Sequence, residues 1–239
     1  MNSTPMRRSL QGKTLRWDLI VLSWSWLAGC FGALGGASSA LPELLPASCE
    51  IDLALSAAPE HLRAAASVYA LEEQGFVRVV EGDGAFTCIV NRDDPRVLKP
   101  TCFDAEGAAT IVPKILLFGE RMMAGDPIEK IREEVESAFA SGRFVSPRRP
   151  GVAYMLSRYN RPWNGTDRRL GWFPPHVMFY APNLTNEEIG HSMAHHDPNR
   201  PLPRIGYGGP HGYMIMISDD GTRRSRSDLT DCPDWVHAD

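Results

Sequence analysis

Four cysteines beyond residue 40 constrain the fold more than any other feature of this sequence. They are Cys49, Cys88, Cys102 and Cys232, an even set that allows three pairings. Cys88 and Cys102 are close in sequence, and each lies in a strand-like segment. We therefore predict that these two form one disulfide and that Cys49–Cys232 joins the two ends of the domain. Four reduced, buried thiols are the alternative.

Residues 1–40 have the pattern of a secretory signal. Four basic residues lie within the first 16 positions, an uncharged run covers Leu19–Gly36, and small residues continue to Ala40. A basic start, an apolar centre and a small-residue end are typical of a cleavable signal peptide. We therefore predict export, cleavage after Ala40 and an extracytoplasmic location, either periplasmic or secreted.

Two other outcomes fit the same segment. Residues 27–30 read Leu-Ala-Gly-Cys, which matches the motif before a lipidated cysteine, so lipidation at Cys30 would anchor the protein to the envelope. An uncleaved anchor is the second alternative, although a spanning helix needs about 20 apolar residues. The run is shorter than that and rich in glycine. Unless Cys30 is lipidated, we expect no membrane span in the mature chain.

The charge of the mature chain excludes one class of partner. Residues 1–40 contain four of the 25 basic and one of the 29 acidic residues, so the remainder has a net charge of −7 with histidine neutral. Proteins that bind nucleic acid or anionic membranes carry basic patches. We therefore expect a small molecule or an envelope protein as the partner, and no nucleic acid.

The pattern of apolar residues predicts one α+β domain with a mixed sheet over residues 41–218. A helix is predicted over Pro59–Glu73, then a hairpin of strands 76–80 and 85–90, then a strand at Cys102 and a helical segment over 112–141. The C-terminal half has three short apolar runs typical of buried strands, Val152–Leu156, Val177–Ala181 and Tyr213–Ile217. Residues 219–239 are polar, and we expect a loose tail that Cys232 pins.

Two histidines occupy the same local pattern, in which a proline and a histidine precede an apolar run. His176 begins the run at 177–181, and His211 precedes the run at 213–217. If these strands are parallel, both imidazoles lie at one edge of the sheet, and the connection of about 30 residues is long enough for that crossover. We predict that His176 and His211 line the main pocket, together with Tyr180. Hydrogen-bonded histidines at strand ends are the ordinary alternative.

A second cluster suggests a metal site. Glu187, His191 and His195 are spaced four residues apart, so on a helix they would share one face. One carboxylate and two imidazoles suit zinc or a similar divalent ion. Gly190 and Pro198 argue against a regular helix here, and a solvent-exposed loop is the competing interpretation.

The remaining acidic candidates indicate capping more than chemistry. Asp104 lies three residues before Gly107, and Glu106 lies directly before it. This arrangement is typical of the start of a helix. The sequence contains no G-x-S-x-G, H-E-x-x-H or S-x-x-K motif. We therefore expect a non-catalytic exported domain that binds a ligand or partner. The alternative is a metal-dependent or histidine-based hydrolase centred on His176 and His211.

Overall fold

A mixed β-sheet forms the centre of the fold. The strands are β1 (Ser67–Glu72), β2 (Gly75–Val80), β3 (Thr87–Asn91), β4 (Lys99–Phe103), β5 (Val152–Met155), β6 (Trp163–Asn164), β7 (Arg169–Leu170), β8 (His176–Tyr180), β9 (Arg204–Tyr207) and β10 (Tyr213–Ile217). Eight of them form one sheet in the order β2-β1-β3-β4-β5-β8-β10-β9. β1 and β3 are parallel, and the other neighbours in this sheet are antiparallel. β6 and β7 form a separate two-stranded ribbon.

Six helices accompany the sheet in this computed structural model, which describes residues 41–164, 169–192, 194, 202–218, 229 and 231–237. The helices are α1 (Ala47–Ser56), α2 (Glu60–Arg63), α3 (Ala105–Thr110), α4 (Val112–Met123), α5 (Ile128–Ala140) and α6 (Asp234–His237). The α+β class with a mixed sheet is therefore confirmed. Across the described residues, no helix is both long and apolar enough to cross a membrane.

Strand alternation gives the sheet two different faces. In the β3–β4 pair, Cys88 lies directly opposite Cys102, and their neighbours Ile89 and Thr101 are paired on the other face. Cys88 and Cys102 pack with α1, while Ile89 and Phe103 pack in a second cluster under α4. The sheet is thus covered by α1 on one side and by α4 on the other.

The α1 side holds both disulfides. Cys88–Cys102 joins β3 to β4, and Cys49–Cys232 joins α1 to the C-terminal segment. Leu229 and Val236 belong to the same buried cluster as α1, so this end of the chain contributes to the core. Both predicted pairings are confirmed, and two disulfides indicate an oxidising, extracytoplasmic environment. Residues 219–228 of the predicted tail lie outside the described residues.

The N-terminal helix and the first hairpin were predicted in the wrong places. The helix expected over Pro59–Glu73 is only one turn long, α2, and the chain then enters β1. β1 pairs with β2 on one side and with β3 on the other. The predicted strands at 76–80 and 85–90 correspond to β2 and β3, which are not neighbours in the sheet, so the hairpin is β1–β2. Pairing on both edges outweighs the helical preference of the alanine-rich segment around Ala64–Ala66.

The central and C-terminal predictions agree with the structure. The segment 112–141 is α4 followed by α5, and Gly142 follows α5 with a positive φ of 77°. The three apolar runs of the C-terminal half are β5, β8 and β10, which lie side by side in the sheet. These three strands and the helices α4 and α5 surround the candidate site.

Candidate functional site

A cavity of about 550 Å³ lies between the sheet and the helices α4 and α5. Five strands of the sheet, β4, β5, β8, β9 and β10, supply its floor, together with Asn91 at the end of β3. Lys114, Ile115 and Phe118 of α4 form one wall, and Arg132, Val135 and Glu136 of α5 extend it. The loop around Asn160 and Phe173 closes one side.

The floor of the cavity is apolar because of the register of neighbouring strands. Met155 pairs with His176, Ala153 with Met178, and Met178 with Ile215. Paired residues in a sheet point to the same face, so Met155, Met178 and Ile215 all face α4. A ligand on this floor would contact thioether and hydrocarbon groups.

Helix α4 sits close to the sheet because of a glycine. A Cβ atom at Gly119 would lie 2.4 Å from the ring of Phe76 on β2, so only glycine allows this approach. Lys114 and Phe118 are four residues apart and lie on one side of α4. That side faces the cavity, and the helix thereby places one charged and one aromatic side chain in it.

His176 lies at the start of β8 as a neutral imidazole. Its Nδ1–H donates to the carbonyl oxygen of Pro174 at 2.8 Å. The rings of Phe173 and His176 pack edge to face, with 4.6 Å between their centroids. Burial lowers the pKa of His176 to about 4, with a further contribution from the charge of Arg204. The Pro174 carbonyl acts in the opposite direction but does not offset the burial.

His211 is held by aromatic stacking. Its ring stacks on Tyr207 at 4.6 Å and on Phe139 at 4.7 Å between ring centroids. Burial lowers the pKa of His211 to about 3, and the charge of Lys114 adds to that effect. The Nδ1 atom is buried and has no hydrogen-bond partner within the described residues.

The expected shared edge for the two histidines is wrong. β8 and β10 are antiparallel, with Tyr213 opposite Tyr180 and Ile217 opposite His176. His211 precedes Tyr213, so the two imidazoles belong to opposite ends of the strand pair. Both side chains nevertheless line the same cavity, because it extends along the length of these strands.

Tyr180 lies outside the cavity wall. Its hydroxyl donates to Asp104 Oδ1 at 2.8 Å and to the carbonyl oxygen of Val152 at 3.0 Å. Burial raises the pKa of Tyr180, and the hydrogen bond to Asp104 raises it further. Asp104 also accepts from the Gly107 amide and caps α3, which confirms the capping interpretation of this carboxylate. The arrangement fixes structure and offers no open group to a ligand.

Two of the three residues of the predicted metal cluster, Glu187 and His191, lie in the described part of the chain, so the cluster itself stays a prediction. Glu187 lies in a turn and is exposed, and the Gly190 amide donates to its carbonyl oxygen. The helical face expected for Glu187 and His191 is therefore wrong, because Gly190 adopts a positive φ of 72° and ends the turn. His195 lies outside the described residues. Among those that are described, no three His, Cys, Asp or Glu side chains are grouped to hold a metal ion.

Charged side chains that sequence reasoning missed line the cavity. Lys99 forms an ion pair with Asp93 at 2.5 Å between β4 and the loop after β3. Lys114 faces the same region, and its Nζ atom lies 5.3 Å from the centroid of the Tyr207 ring. Burial lowers the pKa of Lys114 to about 7, and the nearby charge of Lys99 lowers it as well, against the weaker effects of Asp93 and Glu136. A lysine on the apolar side of a predicted helix is the one sequence signal for this site.

Asn160 is a further polar residue of the cavity that the sequence did not reveal. The residue is 1% exposed, and its Oδ1 atom has no hydrogen-bond partner within the described residues. A buried polar atom without a partner is uncommon, since most are paired in folded proteins.

Comparisons with known proteins identify no relative. No protein-family model matches the sequence, and neither a curated protein nor a solved structure is significantly similar to it.

Proposed function

We propose that this chain is an exported domain that binds a small, largely apolar molecule in the cavity between the sheet and helices α4 and α5. The cavity is the observation that carries this function. Its volume of about 550 Å³ falls within the range of roughly 300–1,000 Å³ that is typical of small-molecule sites. An apolar floor with a few convergent polar groups is also typical of such sites.

The two histidines favour binding over hydrolysis. A general base works best when its pKa is close to the operating pH. Burial holds the pKa of His176 near 4 and that of His211 near 3, so both imidazoles are weak bases at neutral pH. His176 uses its Nδ1–H for the Pro174 carbonyl, which suits a fixed hydrogen-bonding group in a pocket.

The proposed location is the periplasm or the extracellular space, after cleavage at Ala40. The signal pattern of residues 1–40 and the two disulfides support it. Lipid anchorage at Cys30 is the competing outcome. Intact-mass measurement of the exported protein separates them, because a chain beginning at Leu41 supports cleavage and an acylated chain beginning at Cys30 contradicts it.

The neutral fluorophore N-phenyl-1-naphthylamine tests the cavity directly, because its emission rises in apolar sites. Met178 is 7% exposed and faces the cavity, next to the small Ala153 on β5. We expect the wild type to bind the probe and Met178→Trp to lose most of that binding by filling the space. The adjacent Phe179→Trp is the matched control, since Phe179 is 37% exposed on the opposite face.

Three results would decide between the outcomes. Loss of binding in Met178→Trp alone supports the cavity. Equal binding by both tryptophan variants and the wild type would place the probe elsewhere, and no binding by the wild type would remove the proposed function. Thermal melting of both variants shows that they are folded.

A further inference from the structure

We propose that the ligand of this cavity carries a carboxylate, bound by the ammonium group of Lys114, at one end of an apolar body. The inference rests on the proposed function and adds the chemical class of the ligand. It also assigns Lys114 as the residue that selects for that class.

The charges around the cavity favour an anion. Lys99, Lys114 and Arg132 contribute three basic side chains to the lining, and Asp93 and Glu136 contribute two acidic side chains. The mature chain as a whole has a net charge of −7. A cavity with an excess of positive charge in an acidic protein indicates a local preference for a negatively charged ligand.

Lys114 is the half-buried basic side chain of the lining that has no ion pair among the described residues, whereas Arg132 is exposed. Lys99 is neutralised by its ion pair with Asp93. Arg132 and Glu136 have opposite charges and are one helical turn apart on α5. Within the described residues, no carboxylate lies within 4.0 Å of Lys114 Nζ. Its Nζ atom lies 5.3 Å from the centroid of the Tyr207 ring, and an aromatic face leaves the N–H donors free for a further partner.

Two residues of the cavity lining also contain a buried polar atom without a partner. Asn160 Oδ1 and His211 Nδ1 both belong to residues at most 2% exposed, and both lack a hydrogen-bond partner in the described part of the protein. Both residues line this cavity. Unpaired polar atoms cost free energy in a folded protein. Because neither atom has accessible surface, a ligand in the cavity could reach them only after the side chains moved.

The apolar floor specifies the rest of the molecule. Phe103, Met155, Met178 and Ile215 form a continuous surface below Lys114 and Phe118. A carboxylate with an alkyl or aromatic body matches both features. A free inorganic anion would leave the apolar surface without a partner.

Matched probe pairs test the charge preference by displacement of N-phenyl-1-naphthylamine. Decanoate and decanol differ in charge but share their alkyl chain, and 2-naphthoate and 2-naphthol do the same for an aromatic body. We expect the carboxylate of at least one pair to bind about tenfold or more tightly than its neutral partner, as a charge-assisted hydrogen bond provides. The pair that shows the larger preference identifies the apolar body.

Substitution of Lys114 shows whether this residue causes the preference. In Lys114→Met, the carboxylate and the alcohol should bind within about twofold of each other, with alcohol binding unchanged, because only the charge-assisted hydrogen bond is lost. Lys114→Arg should retain most of the preference. Lys130→Met, which removes an exposed lysine of α5 paired with Asp126, is the control and should behave like the wild type.

The outcomes separate this inference from the proposed function. Binding of the fluorophore and of both alcohols with no preference for carboxylates, or a preference that survives in Lys114→Met, would overturn the role of Lys114 while leaving the binding cavity in place. Tighter binding of decyltrimethylammonium than of decanoate would overturn it as well. Absence of all binding would remove the proposed function itself.

Discussion

The Nζ atom of Lys114 lies 5.3 Å from the centroid of the Tyr207 ring, which connects helix α4 to the edge strand β9 above the cavity floor. The same ring stacks on His211 at 4.6 Å. The ring of Tyr207 therefore contacts both the ammonium group of Lys114 and the neutral imidazole of His211. A lysine held by a ring keeps its donors available, whereas a lysine held by a carboxylate does not.

Carboxylate binding should depend on pH through Lys114. Its pKa is about 7, whereas burial holds the pKa values of His211 and His176 at about 3 and 4. We expect the affinity for decanoate to fall by about tenfold in total as the pH rises from 6 to 9, because the free lysine loses its proton and with it the preference for the carboxylate. Displacement titrations at constant ionic strength measure it.

The other groups that face Lys114 do not produce this change. Asp93 stays ionised because the charge of Lys99 lowers its pKa despite burial, and burial raises the pKa of Tyr207. Lys99 and Glu136 also face Lys114, and their charges act on its pKa in opposite directions. Lys114→Arg should therefore abolish the pH dependence while keeping the affinity. A pH profile in this variant equal to that of the wild type would assign the titration to another residue.

Asn160→Leu should separate stability from binding. Its Oδ1 atom is buried without a partner in the described residues, and leucine has a similar shape. We expect the free energy of unfolding to rise by about 1 kcal/mol without ligand, because an unpaired polar atom is removed. The affinity for the ligand should change little, because this atom has no surface exposed to the cavity. Urea denaturation with and without decanoate measures both, and a loss of stability would show that Asn160 is satisfied in the free protein.

Breaking the buried ion pair between Glu50 and Arg92 should strongly destabilise the α1 side. Both side chains are 1% exposed, and Arg92 donates to Glu50 Oε2 at 2.5 Å and to the carbonyl oxygen of Glu43. Glu50→Ala should reduce the free energy of unfolding by about 3–5 kcal/mol, since Arg92 is left as an uncompensated buried charge.

An exposed ion pair supplies the control for Glu50. Glu81 pairs with Arg78 at 3.2 Å, but its side chain is 82% exposed. Glu81→Ala should cost less than about 1 kcal/mol, because solvent screens surface pairs. Similar losses for the two variants in urea denaturation would show that burial does not set the strength of the Glu50–Arg92 contact.

The two disulfides should contribute unequally to stability. Cys49 and Cys232 are separated by 183 residues, and Cys88 and Cys102 by 14. In the chain-entropy model, these loops correspond to about 5 and about 3 kcal/mol of stabilisation. The double variant Cys49→Ala, Cys232→Ala should therefore unfold at a lower urea concentration than Cys88→Ala, Cys102→Ala. The reverse order would show that the cross-strand bond between β3 and β4 matters more than the closure of the chain ends.

Local sequence patterns predicted a helix or strand correctly where its packing in the fold agrees with the local preference of its residues. The apolar stripe of α5, Ile131, Val135 and Ala138, is buried as its spacing indicates. The segment that became β1 has alanine and leucine at helical spacing, yet it lies between two partner strands. Pairing with β3 requires residues about 20 positions away, and a local pattern contains no information about such contacts.

The candidate site was predictable only in part, for the same reason. The proline–histidine pattern pointed to His176 and His211, and both line the cavity. Its proposed geometry failed because strand direction depends on pairing and not on local spacing. Lys114 and Asn160 come from a helix and a loop that meet only in the folded chain. The sequence shows Lys114 only as a lysine on the apolar side of a predicted helix. The unpaired atom of Asn160 depends on contacts that the linear sequence does not display.

A crystal structure with 10-bromodecanoate tests the central claim most directly, because the bromine atom marks the end of the ligand by its anomalous signal. The account predicts the bromine inside the cavity on the floor formed by Met155, Met178 and Ile215, with the carboxylate about 3 Å from Lys114 Nζ. The crystals should be grown below pH 7, where Lys114 is charged. A bromine peak outside the cavity, or a carboxylate directed away from Lys114, would contradict it.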